Sequence, residues 1–343
     1  MRPRRVRTME EFATRSGLSR PTVSKYFQDP ASVRASTRQR IEAALEELDY
    51  RPNIYAMNQN RRLTKNVGVV VPLLADPFFS EIARTIERLC IAAGFRPILL
   101  SSNGETAQER ENLQTLLSLK PAGVLIAPLG RISDVAAIEA FAAEVPTVLF
   151  DSALDVVGTA FIGSDNKSFV DQTVDYLCET GSAPCLFEMR TPANPNAGKR
   201  RLAYVAAMER HGFDPMIVAI EGTGWDFERI GRDGADAIFS GPGLPANTVL
   251  CSNDRLAIGL LSAAYANGLR VGRGEGCALR VASMDDHPFA RFTCPALTTA
   301  AHDYEAVASE SVETLLSAIE AGETPSTREE ILIPARLVLR ASA

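Results

Sequence analysis

The chain is poor in the residues from which metal sites and most catalytic centres are built. Its 343 residues include three histidines, six cysteines and one tryptophan. His211, His287 and His302 lack the spacing of a metal-ligand set. His287 follows two aspartates, but with no partner visible in the sequence it reads as a surface histidine. Cys90, Cys178, Cys185, Cys251, Cys277 and Cys294 contain no C-x-x-C pair, so reduced thiols rather than a disulfide framework are expected. No run of 18 apolar residues occurs, which argues against a membrane-spanning helix. The basic start, Met1 to Arg7, is not followed by an apolar stretch, so no secretory signal is expected and a cytoplasmic location is. P-loop, G-x-S-x-G and H-E-x-x-H motifs are absent. Gly272-Arg273-Gly274-Glu275-Gly276 lies between a helix and a strand, the wrong side for a dinucleotide loop. No metal or cofactor is expected.

Charge is unevenly placed. Up to Lys65 there are 14 Lys and Arg against 7 Asp and Glu; the remainder carries 22 against 35. A basic head on an acidic body suits phosphate contact by the head alone.

The head reads as three short helices. Thr8 can cap the first, with Glu11 three residues on completing a capping box. Phe12 and Ala13 form its buried side. Gly17 suits a tight turn, because glycine takes positive φ without steric cost. Ser19 can cap the second helix, whose first turn tolerates Pro21. Val23, Tyr26 and Phe27 give it an apolar side. Ile41, Ala44, Leu45 and Leu48 fall at helical spacing in the third. Two helices joined by a glycine turn, backed by a third, make a helix-turn-helix, whose second helix enters the major groove.

These residues carry a resemblance. Ser19 to Lys25 has the S-x-x-T-V-S-[RK] pattern, and Glu46-Glu47-Leu48-Asp49-Tyr50-Arg51-Pro52-Asn53 closes the head; together they resemble the head of the lac-repressor (LacI) family of transcription regulators. The resemblance implies DNA contact by Thr8, Ser19, Arg20, Pro21, Thr22, Ser24, Lys25 and Asn53. It also implies a hinge over residues 54–66 that lies in the minor groove through Tyr55, Ala56 and Gln59. Gln59 stands where the family usually places a leucine that wedges into the base stack. Glutamine wedges poorly, so a smaller kink is expected here, or one assisted by Met57 or Tyr55.

After the hinge the periodicity changes. Val67-Gly68-Val69-Val70-Val71 is a β-branched run typical of a strand buried on both faces. Strands and amphipathic helices then alternate to the end, which specifies doubly wound parallel sheets. Two such sheets in tandem resemble the periplasmic-binding-protein-like, two-lobed body of the family. The expected organisation is a helix-turn-helix domain over 1–53, the hinge over 54–66, a first lobe of 67–162 with 297–324, and a second lobe of 163–296 with 325–343. Crossings between lobes are expected near Asp151–Ser164, Phe292–Leu297 and Gly322–Thr327. No apolar heptad tail follows the last strand, so a homodimer rather than a tetramer is expected.

Open parallel sheets bind ligands beyond the carboxyl ends of their strands. The polar residues there are Asp76, Asp151, Asn253 with Asp254, and Asp285 with Asp286. The resemblance extends to Asp76-Pro77-Phe78-Phe79, Phe150-Asp151, Arg201-Leu202-Ala203, Ser252-Asn253-Asp254, Ser283-Met284-Asp285-Asp286 and Leu297-Thr298-Thr299, the last taken to re-enter the first lobe. It implies an effector held by Asp76, Phe78, Phe79, Asp151, Arg201, Asn253 and Asp285, with Trp225 stacking on it. Carboxylates, amides and a guanidinium are suited to hydroxyls, and aromatic rings to the C–H face of a sugar. The expected function is a sequence-specific DNA-binding regulator, a repressor by analogy, whose partners are pseudo-palindromic operator DNA and a small-molecule effector of the sugar class. A solute-binding protein or a sugar-processing enzyme could use the same cleft.

Overall fold

A computed structural model describes residues 6, 8–48, 50, 64–154, 157–322 and 328–343. Two compact units result, residues 1–64 and 65–343. The described residues form eleven α-helices and twelve strands. No helix among them is long and apolar enough to cross a membrane.

The first unit contains α1 (Met9–Ser16), α2 (Arg20–Gln28) and α3 (Ala35–Leu48). The Thr8 hydroxyl accepts from the Glu11 N–H at 3.1 Å, the expected cap. Gly17 ends α1 at φ 65°, ψ 31°, a left-handed conformation that costs a side-chain-bearing residue energy. Ser19 caps α2 by accepting from the Thr22 N–H, and Pro21 occupies its first turn. Phe12, Val23, Tyr26, Ile41 and Tyr50 close one small core, with Phe12 stacked on Tyr50 at 4.7 Å. Leu45 and Leu48 pack against it.

The second unit holds two six-stranded sheets. The first is built from β1 (Asn66–Val71), β2 (Arg96–Ser101), β3 (Gly123–Ile126), β4 (Thr147–Phe150), β5 (Ala160–Ser164) and β11 (Glu329–Ile333), in the order β11-β5-β4-β3-β1-β2, all parallel. The second contains β6 (Cys185–Met189), β7 (Ile217–Ile220), β8 (Thr248–Cys251), β9 (Arg280–Asp285), β10 (Thr298–Ala301) and β12 (Arg336–Val338), in the order β12-β10-β9-β8-β6-β7. It is parallel except at its edge, where β12 runs antiparallel to β10. Helices α4 (Pro77–Ala92), α5 (Thr106–Leu119), α6 (Val135–Glu144) and α11 (Tyr304–Ala321) pack with the first sheet. Helices α7 (Asn166–Thr180), α8 (Asn196–Arg210), α9 (Phe227–Phe239) and α10 (Asp254–Ala266) belong with the second. Val69, Val71, Phe79, Ile82, Ile86, Phe150 and Ile162 pack with α11 in one core; Phe187, Val249, Cys251, Leu256 and Leu260 fill another.

The strand partners correct the expected lobe boundaries. The segment from Leu297 was expected to re-enter the first lobe, yet β10 pairs with β9 in the second sheet. Glu329–Ile333, expected in the second lobe, pairs with β5 in the first. The chain first changes sheets just after Ser164, as expected, but the second and third changes fall at 301–304 and 333–336. Periodicity marks a strand, but which neighbour supplies its hydrogen bonds is settled by long-range packing, so the sheet assignment was not contained in the local pattern.

Candidate functional site

The exposed side of α2 is made by Arg20, Pro21 and Lys25, with Thr22 and Ser24 half-buried beside them. Val23 and Tyr26 face the opposite way, into the core. The helix therefore presents one polar, basic face while its apolar face fixes its orientation. Asn53, Tyr55, Ala56 and Gln59 lie outside the described residues.

In the second unit the carboxyl ends of both sheets meet at one cleft, around a cavity of about 80 Å³. That is room for several waters, and so for one small polar molecule. From the first sheet come Asp76, Phe78 and Phe79 after β1 and Asp151 after β4; from the second come Asn253 after β8, Asp285 at the end of β9 and Trp225 after β7. Seven of the expected ligand residues thus converge.

Asp76 caps α4 by accepting from the Phe78 N–H at 2.9 Å, and it pairs with Arg255 Nη1 at 2.9 Å. Burial pushes its carboxyl above the ordinary range despite the Arg255 charge. Asp151 accepts from Asn196 Nδ2 at 2.9 Å and Asn194 Nδ2 at 3.2 Å, so a residue after a first-sheet strand is held by amides after a second-sheet strand. Burial raises this carboxyl too. Asp151 and Asp285 sit at φ 60° and φ 126°, conformations that cost a non-glycine residue about 1–3 kcal/mol and collect at ligand sites.

Trp225 meets Phe79 edge-on at 6.1 Å and Phe227 at 5.7 Å, joining the aromatic residues of the two lobes. Asn253 caps α10, its Oδ1 accepting from the Leu256 N–H at 2.8 Å. At the other flank, Gly130 lies so close to Pro195 that an added Cβ would stand 2.5 Å from the proline Cγ.

Arg201 does not reach the cleft. It pairs with Glu188 on β6 and is substantially exposed. The arginine in the cleft is its neighbour Arg200, whose Nε donates to Asn166 Oδ1 at 2.9 Å, Nη1 to the Ser252 carbonyl at 2.7 Å and Nη2 to Asp285 Oδ1 at 2.8 Å. The helix begins at Asn196, a turn earlier than its apolar pattern indicates. Its inward stripe is Asn196, Arg200, Ala203, Tyr204 and Ala207, and Arg201 falls about 100° away around the axis. The spacing of Arg200 to Ala203, Tyr204 and Ala207 was the available signal.

Two histidines also line the cavity, one of them against expectation. His287, read as a surface residue, is 6% exposed and lines the cavity; burial lowers its basicity. His302 shares a hydrogen bond with Ser164 Oγ at 2.6 Å through Nδ1 and donates through Nε2 to Asp285 Oδ1 at 3.0 Å. Burial alone would raise the Asp285 carboxyl, but the Arg200 charge and the His302 hydrogen bond hold it below the ordinary range. Other residues missed from the sequence are Asn194, Asn196, Arg255, Phe227 and Tyr304, all lining the cavity.

Asp254 stands directly behind the site. Fully buried, it accepts from the His287 N–H at 2.7 Å and from Thr299 Oγ1 at 2.7 Å. Burial pushes its carboxyl up to about 8. Between the unfolded value near 4 and this folded value, the native state holds a proton that the unfolded chain has released. Stability from this group is therefore full below about pH 4 and lost as pH rises toward 8. Asp254→Asn removes the titration, so thermal unfolding measured from pH 5 to 8 should lose much of its downward slope relative to the parent; an identical slope would assign it to other groups.

Comparison with known proteins adds the following. Residues 8–53 match the model for bacterial regulatory proteins of the lacI family. Residues 174–343 match a periplasmic binding protein-like domain. The chain is 29% identical to the ribose operon repressor of Escherichia coli (strain K12) over 85% of its own length and 87% of that protein. It is 28% identical to the HTH-type transcriptional repressor CytR of the same organism, over 98% and 96%. In fold it is similar to a Lac repressor dimer bound to operator and the anti-inducer ONPF, with TM-score 0.83, 24% identity, and 99% of each chain covered.

Proposed function

We propose that the chain is a regulator of the LacI type, which the lacI-family match over residues 8–53 supports, and that it represses transcription from a pseudo-palindromic operator until a sugar-class effector enters the cleft between its lobes. The observation that carries this reading is the coupling of a basic helix-turn-helix head to a cleft whose walls come from two different sheets. A ligand gripped from both sides stabilises one separation of the lobes over another, and differential affinity of that kind is what an effector needs to shift a conformational equilibrium.

The DNA-contacting set is Ser19, Arg20, Pro21, Thr22, Ser24 and Lys25 on or capping α2, with Thr8, Asn53 and the hinge residues Tyr55, Ala56 and Gln59. Residues up to 53 form the DNA-binding domain and 54–66 the hinge. The effector set is Asp76, Phe78, Phe79, Asp151, Trp225, Asn253 and Asp285, with Arg200 in place of Arg201. Amides and carboxylates pair with hydroxyls, and the Phe79–Trp225–Phe227 wall covers an apolar ring face. Relationship to a ribose operon repressor supports the sugar class. The protein acts in the cytoplasm as a homodimer, because a two-fold operator is matched by a two-fold protein.

Binding without turnover is the chemistry the cleft supports. Ser164, His302 and Asp285 form a hydrogen-bonded line, but Ser164 is not among the residues lining the cavity, so its hydroxyl is not presented to a ligand. A thermal-shift screen of monosaccharides against the full chain, followed by operator release in a gel-shift assay, tests the reading. At least one sugar should raise the unfolding temperature and weaken operator binding. A sugar that is consumed would establish an enzyme, and a screen in which nothing stabilises the protein would remove the sugar class.

A further inference from the structure

We propose that the cleft selects a neutral polyhydroxyl ligand and rejects the acid and phosphate forms of the same sugar. The inference rests on the sugar-effector reading above and narrows it.

An anion entering a buried cleft needs a cation that is not already committed, or a cluster of unspent N–H groups. Both arginines at this cleft already have their charge matched by carboxylates. Arg200 gives its Nε and both Nη to Asn166, Ser252 and Asp285. Arg255 forks onto Glu228, with Nε to Oε1 at 2.8 Å and Nη2 to Oε2 at 2.6 Å, and gives Nη1 to Asp76. The guanidiniums are thus held by three carboxylates, Asp285, Asp76 and Glu228. Both nitrogens of His302 are occupied as well.

The acids are not equally spent. Asp151 lines the cavity and meets two amides and the Ser152 hydroxyl but no cation within pairing distance among the described residues. A second negative charge beside it would face repulsion that low dielectric magnifies. A hydroxyl suits this set, because it donates to Asp151 and accepts from an amide in the same contact. Asn253 supplies such an amide: its Oδ1 is used as a cap, while its Nδ2 has no protein partner among the described residues.

The test uses the full chain and matched trios: glucose, gluconate and glucose 6-phosphate; galactose, galacturonate and galactose 1-phosphate; and ribose with ribonate and ribose 5-phosphate. Calorimetric titration should find a neutral member that binds at least about tenfold more tightly than its acid and its phosphate. In Asp76→Asn, which keeps the cap on Phe78 and removes one carboxylate from Arg255, that preference should narrow. An acid or phosphate that binds as tightly as its neutral parent overturns the inference and leaves the sugar reading standing. If no member of any trio binds, the sugar reading itself falls, and the selectivity falls with it.

Discussion

Arg200→Ala is expected to abolish the response to effector and to lower the unfolding temperature by on the order of 10 °C. Arg200 is 6% exposed, and its guanidinium satisfies three acceptors from three separate segments: Asn166, Ser252 and Asp285. Removing it leaves the Asp285 carboxylate buried without its principal cation, and breaking such a pair costs about 3–5 kcal/mol. Asp285 also takes a left-handed backbone conformation, which nearby contacts must hold in place. Losing the largest of them should let the β9 end relax, and the cavity wall with it. Arg201→Ala is the matched control. It strands the buried Glu188 carboxylate outside the cleft, so it also costs stability but should retain effector-driven operator release. If Arg201→Ala is the variant that becomes unresponsive in a gel-shift titration, the assignment of the two arginines is reversed.

Arg20→Ala should lose about 1–3 kcal/mol of binding at one operator position while leaving the head folded. Arg20 lies on the exposed side of α2 and contributes nothing to the core of Phe12, Val23 and Ile41. A guanidinium there can donate two parallel hydrogen bonds to a guanine edge, which distinguishes that base from the other three. Lys25→Ala tests a different contribution. As a phosphate contact it should weaken all sequences about equally and reduce the salt dependence by about one counterion. Binding measured on an operator library at two salt concentrations separates the two effects. An Arg20→Ala protein with unchanged sequence preference would refute direct readout by this residue.

The sequence exposed a great deal of this molecule, for identifiable reasons. In a parallel sheet, the residue after a strand must emerge at the carboxyl edge, so Asp76, Asp151, Asn253 and Asp285 could be placed at the cleft from strand ends alone. The head was equally legible, because Thr8, Gly17 and Ser19 act through hydrogen bonds and backbone angles only a few residues away. What was hidden depended on distant parts of the chain. Arg200 and Arg201 are separated by one helical step, and the choice turns on where α8 begins. His287 and His302 are buried by elements far away in sequence, so composition made His287 look like a surface residue. Asn194 and Asn196 announce themselves only once Asp151 is seen between them. The sheet that receives Thr298–Ala301 is likewise a matter of pairing, not of local periodicity.

Trp225 has a further use beyond covering a ring. It is the chain's one tryptophan, and it contacts Phe79 from one lobe and Phe227 from the other. Every photon emitted on selective indole excitation therefore originates at the seam between the lobes. The protein carries a built-in optical gauge of its own closure: effector titrations can be followed by emission wavelength and quenching without attaching a dye, and the opening rate can be read by stopped flow.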